Sequence, residues 1–234
     1  MFRFKQFNIF QELCAMKVGT DGVLLGAWAE GGTKILDIGT GTGLLALMMA
    51  QRFPQSRITA IDIDHDACQQ AMLNIQNSPF KNQIEVFEKS IQIYTKELSS
   101  QNKGFDSIVC NPPYFINSLK APDVQRSVAR HTDTLPHRQL LQCVTSLLSE
   151  DGAFTCILPT EIADEFLGEA AIIGLSTTRR TDIKTTPTKQ PKRTLLELKH
   201  GFPGKTIKET AVLQTAEGKR TAWYQQLTSD FYLF

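Results

Sequence analysis

Residues 34–43 read KILDIGTGTG, and this stretch is the strongest indication of the fold. The apolar run Lys34–Ile38 predicts a short strand, and Leu44–Arg52 resumes with helical spacing. The three glycines between them can take a positive φ and let a ligand approach the backbone closely. The loop is GxGxG rather than the GxGxxG of dinucleotide sites, and it lacks the lysine of a phosphate-binding loop. It predicts a ligand cradle that is not built for a pyrophosphate, with a tight turn as the alternative.

Strands and helices alternate along the following part of the chain. Further strands are predicted at residues 57–63, 83–87, 105–109, 152–158, 175–183 and 194–199, and helices at residues 64–77, 137–148 and 160–171. This alternation implies right-handed crossovers and a parallel sheet. The last two strands lack a helical crossover between them, which favours an antiparallel pair at one edge. We therefore expect an α/β fold with a mostly parallel seven-stranded sheet, an antiparallel edge strand and helices on both faces.

The composition limits the class of protein. The chain has 234 residues, a net charge of +1 and 41% hydrophobic residues, which predicts a globular fold. Its five cysteines and four histidines lack the spacing of metal ligands, so we expect no metal. No apolar run reaches the ~18 residues of a membrane helix, and the N-terminus lacks the apolar centre of a signal peptide. We expect a cytoplasmic monomer that binds no membrane and keeps its thiols reduced.

Asp62 lies near the end of the second predicted strand. A carboxylate at that place can accept both hydroxyls of a ribose. Together with the glycine loop it indicates a cofactor that carries a nucleoside. Because the phosphate-binding patterns are absent, S-adenosylmethionine is favoured, with its methionine end held by the loop and Asp37. Asp64 is predicted to cap the helix that follows.

The chain resembles the class I, Rossmann-like S-adenosylmethionine-dependent methyltransferases over residues 35–198. The resemblance implies that the glycine loop binds the methionine end and that Asp62 takes the ribose. Members often place an aspartate after the third strand, near the adenine, where this chain has Glu88-Lys89-Ser90. Ser90 is the candidate for that contact. The residues predicted to bind the cofactor are Asp37, Gly39, Gly41, Gly43, Asp62 and Ser90.

The segment CNPPYF, residues 110–115, ends a predicted strand, because proline has no N–H to donate. It resembles the (N/D)PP(Y/F) motif of methyltransferases that act on nitrogens conjugated to a π system. Such an amine is a poor nucleophile, and acceptors that pull on its hydrogens expose its lone pair. The resemblance implies that the Asn111 side chain and the Pro112 carbonyl are the acceptors, that Pro113 fixes the backbone and that Tyr114 stacks on a flipped base. The alternative is a turn that only ends the strand.

The N-terminal block narrows the resemblance. FRFKQF at residues 2–7 and MKVGTDGVLLGAW at residues 16–28 resemble the opening of the bacterial tRNA(Val) adenine-37 N6-methyltransferases. Residues 127–141 and the ending LTSDFYLF, residues 227–234, are also similar to that family. The resemblance spans nearly the whole chain. It implies methyl transfer to N6 of an adenine in the anticodon loop of a tRNA, A37 of tRNA(Val).

The residue pattern of the N-terminal segment also allows a structural prediction that does not depend on the resemblance. A helix pattern covers residues 10–29, with an interruption at residues 19–22. We expect residues 1–30 to form a lip and helix segment and residues 31–234 to form the Rossmann-like domain, one domain overall. Lys5 and Lys17, together with the interruption, are predicted to form the lip over the cofactor site. The phenylalanines of this segment either stack on bases or anchor it; they are Phe2, Phe4, Phe7 and Phe10.

Basic residues are the candidates for contact with tRNA. Eight lysines and arginines stand in residues 179–205 against two acidic residues. This segment is either an RNA contact or a solvated loop. Arg130, beyond the CNPPYF loop, could touch phosphate or order that loop. The predicted substrate-binding residues are Lys5, Lys17, Arg130, Lys189, Lys192 and Arg193.

Two other functions remain open from the sequence. Glutamine methyltransferases of release factors share the NPPY motif, but they carry a helical domain before the glycine loop, and here only 36 residues precede Asp37. The other alternative is a non-catalytic RNA-binding module on an inherited fold.

Overall fold

The computed structural model describes residues 1–14, 16–98, 104–112, 135–201 and 204–233. The strands are β1 (Phe2–Arg3), β2 (Asn8–Ile9), β3 (Lys34–Ile38), β4 (Arg57–Asp62), β5 (Ile84–Glu88), β6 (Phe105–Cys110), β7 (Leu148–Pro159), β8 (Leu175–Lys184), β9 (Arg193–His200) and β10 (Ile207–Val212). The helices are α1 (Thr20–Trp28), α2 (Leu44–Arg52), α3 (His65–Gln76), α4 (Ile91–Leu98), α5 (His137–Leu147), α6 (Thr160–Ile172) and α7 (Ala222–Thr228).

An eight-stranded sheet forms the centre of the fold, in the order β10-β8-β9-β7-β6-β3-β4-β5. β9 runs antiparallel to its two neighbours, and the other neighbouring strands pair in parallel. β1 and β2 form a separate antiparallel hairpin. The predicted α/β, Rossmann-like class with a mostly parallel sheet is confirmed.

Two details of the sheet differ from the prediction. The sheet has an eighth strand, β10, which forms the edge and pairs with β8. Its polar sequence, in which only Ala211 is buried, has no alternating apolar pattern to distinguish it from a loop. The antiparallel strand β9 lies inside the sheet rather than at its edge, because β8 leaves a gap beside β7 that β9 fills. Residues 194–198 of β9 are accordingly all buried.

The predicted helix over residues 10–29 is wrong in its first half. The helix begins at Thr20, and the described residues from 10 to 18 are irregular. The interruption at residues 19–22 is therefore the start of α1. Gly22 and Gly26 let α1 lie close against α2, since an added Cβ would stand 2.9 Å from the Leu44 side chain and 2.7 Å from the Met48 sulfur.

Helices cover both faces of the sheet, as predicted. Neighbouring residues of β3 show this, because Ile35 packs on the side of α1 and α2 and Leu36 on the side of α5 and α6. Such a run, buried on both faces, is typical of parallel sheets. The α1 residues of the N-terminal segment belong to the same apolar cluster as α2.

Candidate active site

A cavity of about 600 Å³ opens at the carboxyl ends of the parallel strands. This is the edge where ligands bind in open α/β sheets. Three strands end level there, with Ile38 of β3 paired to Ile61 of β4 on one side and to Cys110 of β6 on the other. The residues that follow and line the cavity are, in strand order, Asp62, Gly39 and Asn111. Three groups predicted from separate motifs therefore stand on adjacent strands, roughly 5 Å from one strand to the next.

The glycine loop presents bare backbone to the cavity. Gly39, Gly41 and Gly43 have φ of +70°, +54° and +79°, which favours glycine at all three positions. Gly39 and Gly41 line the cavity, and a Cβ on either would meet no atom nearer than 4.0 Å. Gly43 faces α3 instead, where an added Cβ would stand 3.3 Å from that of Ala71. The open cradle is formed by the first two glycines.

Asp37 lies beneath the loop and is fully buried. Its Oδ2 accepts hydrogen bonds from the Thr40 hydroxyl at 2.6 Å and from the Ala46 N–H at 3.1 Å. Its Oδ1 has no hydrogen-bond partner in the described part of the chain. Burial raises the pKa of this carboxyl to about 7, against the opposing effect of its two hydrogen bonds. Asp37 holds the loop to the start of α2.

The raised pKa of Asp37 predicts a pH-dependent stability. The folded state keeps a proton that the unfolded state loses above about pH 4, so this contribution to the free energy of unfolding falls as pH rises towards about 7. Relative to Asp37→Asn, which cannot ionise, the protein should lose about 3 kcal/mol of unfolding free energy between about pH 5 and pH 8. Urea denaturation of both proteins at the two pH values measures this. Parallel pH profiles for the two proteins would contradict it.

Asp62, the last residue of β4, connects this strand to the glycine loop. Its Oδ2 accepts from the Gly41 N–H at 2.8 Å, and its Oδ1 accepts from the Asp64 N–H at 3.0 Å. Each carboxylate oxygen keeps a lone pair that a hydroxyl could use. Asp64 caps α3 as predicted, since its Oδ1 accepts from the N–H groups of Asp66 and Ala67.

The far wall follows β5. The Lys89 N–H donates to the Asp62 carbonyl at 2.8 Å, which places Ser90 at the cavity. The Ser90 hydroxyl oxygen accepts from the Ile93 N–H at 3.3 Å, at the start of α4. Gln92, the second residue of α4, also lines the cavity, although the sequence did not point to it. Its position in the first turn of the helix that follows β5 could have indicated that it lies at the cavity.

The CNPPYF motif stands opposite. Asn111 is half-buried and Pro112 is buried, and both line the cavity. Pro113, Tyr114 and Arg130 lie outside the described residues, so their predicted roles stay predictions.

The geometry agrees with comparisons to known proteins. Residues 18–146 match the model of the methyltransferase small domain family. A tRNA1(Val) (adenine(37)-N6)-methyltransferase from Bacteroides thetaiotaomicron is 46% identical, over 99% of this chain and 97% of the relative. Proteins of the same name from Porphyromonas gingivalis and Trichodesmium erythraeum are 43% and 45% identical, over 99% of this chain and 94% and 97% of their own lengths. The chain belongs to the tRNA1(Val) (adenine(37)-N6)-methyltransferase family.

Solved structures of other methyltransferases share the fold. A predicted O-methyltransferase from Agrobacterium tumefaciens superimposes with a TM-score of 0.71 at 17% identity, over 90% of this chain and 96% of that one. A glycopeptide N-methyltransferase solved with S-adenosyl-L-methionine gives a TM-score of 0.55 at 12% identity, over 80% and 90% of the two chains. At these identities the likeness shows the class I fold alone.

The described residues of the lip of this methyltransferase are 10–14 and 16–18, of which Cys14 and Met16 line the cavity. Two side chains of α3 hold it. The buried Asn74 amide exchanges two 2.8 Å hydrogen bonds with the Phe10 backbone and donates a third to the Thr42 carbonyl of the glycine loop. Gln70 accepts from the Leu13 N–H at 3.0 Å. Sequence patterns gave no sign of these contacts, since amides in α3 look like ordinary helix polar residues.

The predicted lip residues lie in two places. The Lys17 ammonium donates to the carbonyls of Gln11 and Cys14, which folds it onto the lip. The Lys5 ammonium donates to the Ser229 carbonyl at 2.6 Å, so Lys5 lies against the C-terminal tail. In the described part of the chain the lip is formed by residues 10–14 and 16–18, whereas Lys5 lies at the C-terminal tail and residues 19–22 begin α1.

The phenylalanines of the first segment are anchors where they are buried. Phe4 and Phe7 are 4% and 3% exposed, and their rings stack at 4.8 Å between centroids. They cannot reach a base from that position. Phe2 and Phe10 are half-buried.

Several basic residues in the described part of residues 179–205 are neutralised by ion pairs, so this segment exposes less positive charge than its sequence indicates. Arg179 pairs with Glu197 at 3.1 Å, Arg180 with Asp164 at 2.6 Å, Arg193 with Asp21 at 2.7 Å and Lys199 with Glu30 at 3.5 Å. Lys189 and Lys192 are exposed on the hairpin between β8 and β9 and form no ion pair with any described residue. Among the predicted RNA contacts that the structure describes, these two lysines are exposed and lie outside the ion pairs named above.

Within the described ranges, no helix is long and apolar enough to cross a bilayer. The same part of the chain brings together no group of three metal-ligating side chains.

Proposed function

We propose that this protein transfers a methyl group from S-adenosylmethionine to N6 of adenine 37 in tRNA1(Val). The observation that carries the proposal is the row of Asp62, Gly39 and Asn111 at one cavity. Relatives that bear this activity in their names align over 99% of the chain and supply the identity of the nucleotide.

The residues fit S-adenosylmethionine. The two open glycines form a cradle that any side chain would fill, and the Asp62 carboxylate stands beside it with lone pairs for hydroxyls. Gly39, Gly41, Asp62 and Ser90 would hold the cofactor, with Asp37 keeping the loop in shape. The bound cofactor supplies an electrophilic methyl group on a sulfonium.

Asn111 and Pro112 would act on the adenine amine. Its lone pair is delocalised into the ring, so it attacks poorly. The Asn111 side-chain oxygen and the Pro112 carbonyl would accept its two hydrogens and favour a pyramidal nitrogen with an exposed lone pair. The end of β6 and the ring of Pro112 hold these oxygens in place before the substrate arrives. Electrostatic preorganisation requires such a fixed arrangement. The amine loses its proton to water after it is methylated.

The cysteines at the cavity do not compete for the methyl group. Burial, and next the Asp62 carboxylate, raise the pKa of the Cys14 thiol to about 11. Burial raises the pKa of the Cys110 thiol well above its ordinary value. Since the thiolate is the nucleophilic form, both thiols are inert at neutral pH. This supports direct transfer from the sulfonium to the amine.

Labelled cofactor tests the proposal against its nearest alternative. Incubation of the protein with an unmodified tRNA1(Val) transcript should place label in N6-methyladenosine, found by nucleoside mass spectrometry. A transcript with guanine at position 37 is the matched control and should stay unlabelled. Label that enters a release factor and no tRNA would instead support the glutamine methyltransferase. Cofactor binding by calorimetry separates both from a non-catalytic RNA-binding module.

A further inference from the structure

We infer that a second cavity on the same sheet edge binds a nucleotide of the tRNA other than the methylated adenosine. This inference rests on the proposed function. The cavity has a volume of about 470 Å³ and lies where α1 begins and where β8 and β10 end. The N-terminal hairpin and the segment after α7 close its other side. The lining residues that carry the argument are Phe2, Arg3, Arg220, Tyr224 and Tyr232.

Aromatic rings and guanidinium groups meet in this cavity. The Arg220 guanidinium lies 4.8 Å from the Tyr232 ring centroid and 5.8 Å from that of Tyr224. The Phe2 ring stands 6.2 Å from that of Tyr232. Arg3, also on the cavity wall, is exposed and pairs with no carboxylate of the described chain. Flat rings and guanidinium planes that stack on bases, next to cations for phosphates, are the chemistry by which proteins hold unpaired nucleotides.

The second cavity faces the same way as the first. β8 and β10 are parallel to the strand that carries Asn111, so their carboxyl ends lie on one edge of the sheet. They stand three and four strands from β6. At ~4.8 Å per strand, the two cavities are roughly 14–19 Å apart, a distance that a few nucleotides span.

Charge along this edge favours RNA. The exposed Lys189 and Lys192 belong to the β8–β9 hairpin, between the two cavities. Asp21, the carboxylate at the start of α1, is neutralised by Arg193. A polyanion that enters the first cavity therefore meets unpaired lysines and then two arginines along one direction.

The test is a double charge reversal, Arg3→Glu with Arg220→Glu, in the full chain. Fluorescence anisotropy with an unmodified tRNA1(Val) transcript should give a Kd raised at least about tenfold, and a salt slope reduced by about two. The matched control is Lys34→Glu with Arg57→Glu, which changes the net charge equally on exposed residues at the opposite edge of the sheet. Its Kd should rise less than about threefold, by long-range charge alone. Thermal unfolding checks that both variants fold.

Equal losses in the two double variants would overturn the inference, and so would an unchanged Kd for the Arg3 and Arg220 variant. If that variant does not fold, photo-crosslinking of a 4-thiouridine-containing transcript to the unaltered protein decides. Crosslinks in residues 1–3 or 220–233 support the site, and crosslinks confined to other peptides overturn it. The proposed function fails separately, if the unaltered protein binds the transcript and does not methylate it.

Discussion

Asn111→Ala lowers kcat for tRNA methylation by about 10²–10³-fold and leaves the Kd for S-adenosylmethionine within about threefold of its original value. The expected size is that of removing one preorganised polar group from a transition state. Asn111 follows Cys110 at the end of β6 and lines the cavity one strand away from the glycine loop, so its loss should affect the methyl transfer more than the binding of the cofactor. Single-turnover kinetics and cofactor calorimetry measure the two quantities.

Two further variants make this expectation specific to the acceptor oxygen. Asn111→Asp keeps an oxygen that can accept from the amine and should retain activity within about tenfold. Asn111→Leu keeps the size of the side chain but has no acceptor, and it should match the alanine variant. A leucine variant with most of its activity would show that Asn111 only shapes the turn after β6.

Gly41→Val raises the Kd for S-adenosylmethionine at least about 100-fold. The added Cβ would meet no protein atom nearer than 4.0 Å, so the valine side chain enters the cavity rather than the core. The residue also has a φ of +54°, where a β-branched side chain costs about 1–2 kcal/mol. The expected loss of affinity comes from the occupied cradle, and the loss of stability comes from the strained backbone.

Gly174→Val is the control that separates the two effects. Gly174 has a φ of +92° and open space around its Cβ direction, and it connects α6 to the amino end of β8, far from the cavity. Both variants should lose similar amounts of free energy of unfolding, and only Gly41→Val should lose cofactor affinity. Equal cofactor affinities in the two proteins would remove Gly41 from the binding site.

The central part of the site could be predicted because its signals are local. Each of its three signals occupies fewer than about ten consecutive residues. They are the glycine loop, the acidic end of β4 and the prolines that end β6. A parallel sheet then brings the carboxyl ends of β3, β4 and β6 to one edge, whatever the details of the packing. Asp62, Gly39 and Asn111 met at one cavity for that reason.

The predictions of secondary structure were wrong where one local sequence pattern is compatible with more than one structure. Apolar and polar residues mix in residues 10–18 at a spacing that imitated a helix, but the described residues of this segment are irregular and are held by side chains of α3. β10 is a polar edge strand that is held in the sheet by its backbone pairing with β8, so its sequence shows no apolar pattern. The uninterrupted burial of residues 194–198 marks β9 as an inner strand, a signal that could have placed it inside the sheet.

The sequence alone determined which chemical groups this methyltransferase holds and on which edge of the sheet they stand, since strand, turn and helix signals act between near neighbours. The packing of the folded chain was needed to show which cations stay exposed and which residues cover the cavity. Arg193 is paired with Asp21, 172 positions away in the chain, and the lip is bonded to Asn74, 64 positions from Phe10. Such contacts arise from the packing of whole elements, and no local period in the chain records them.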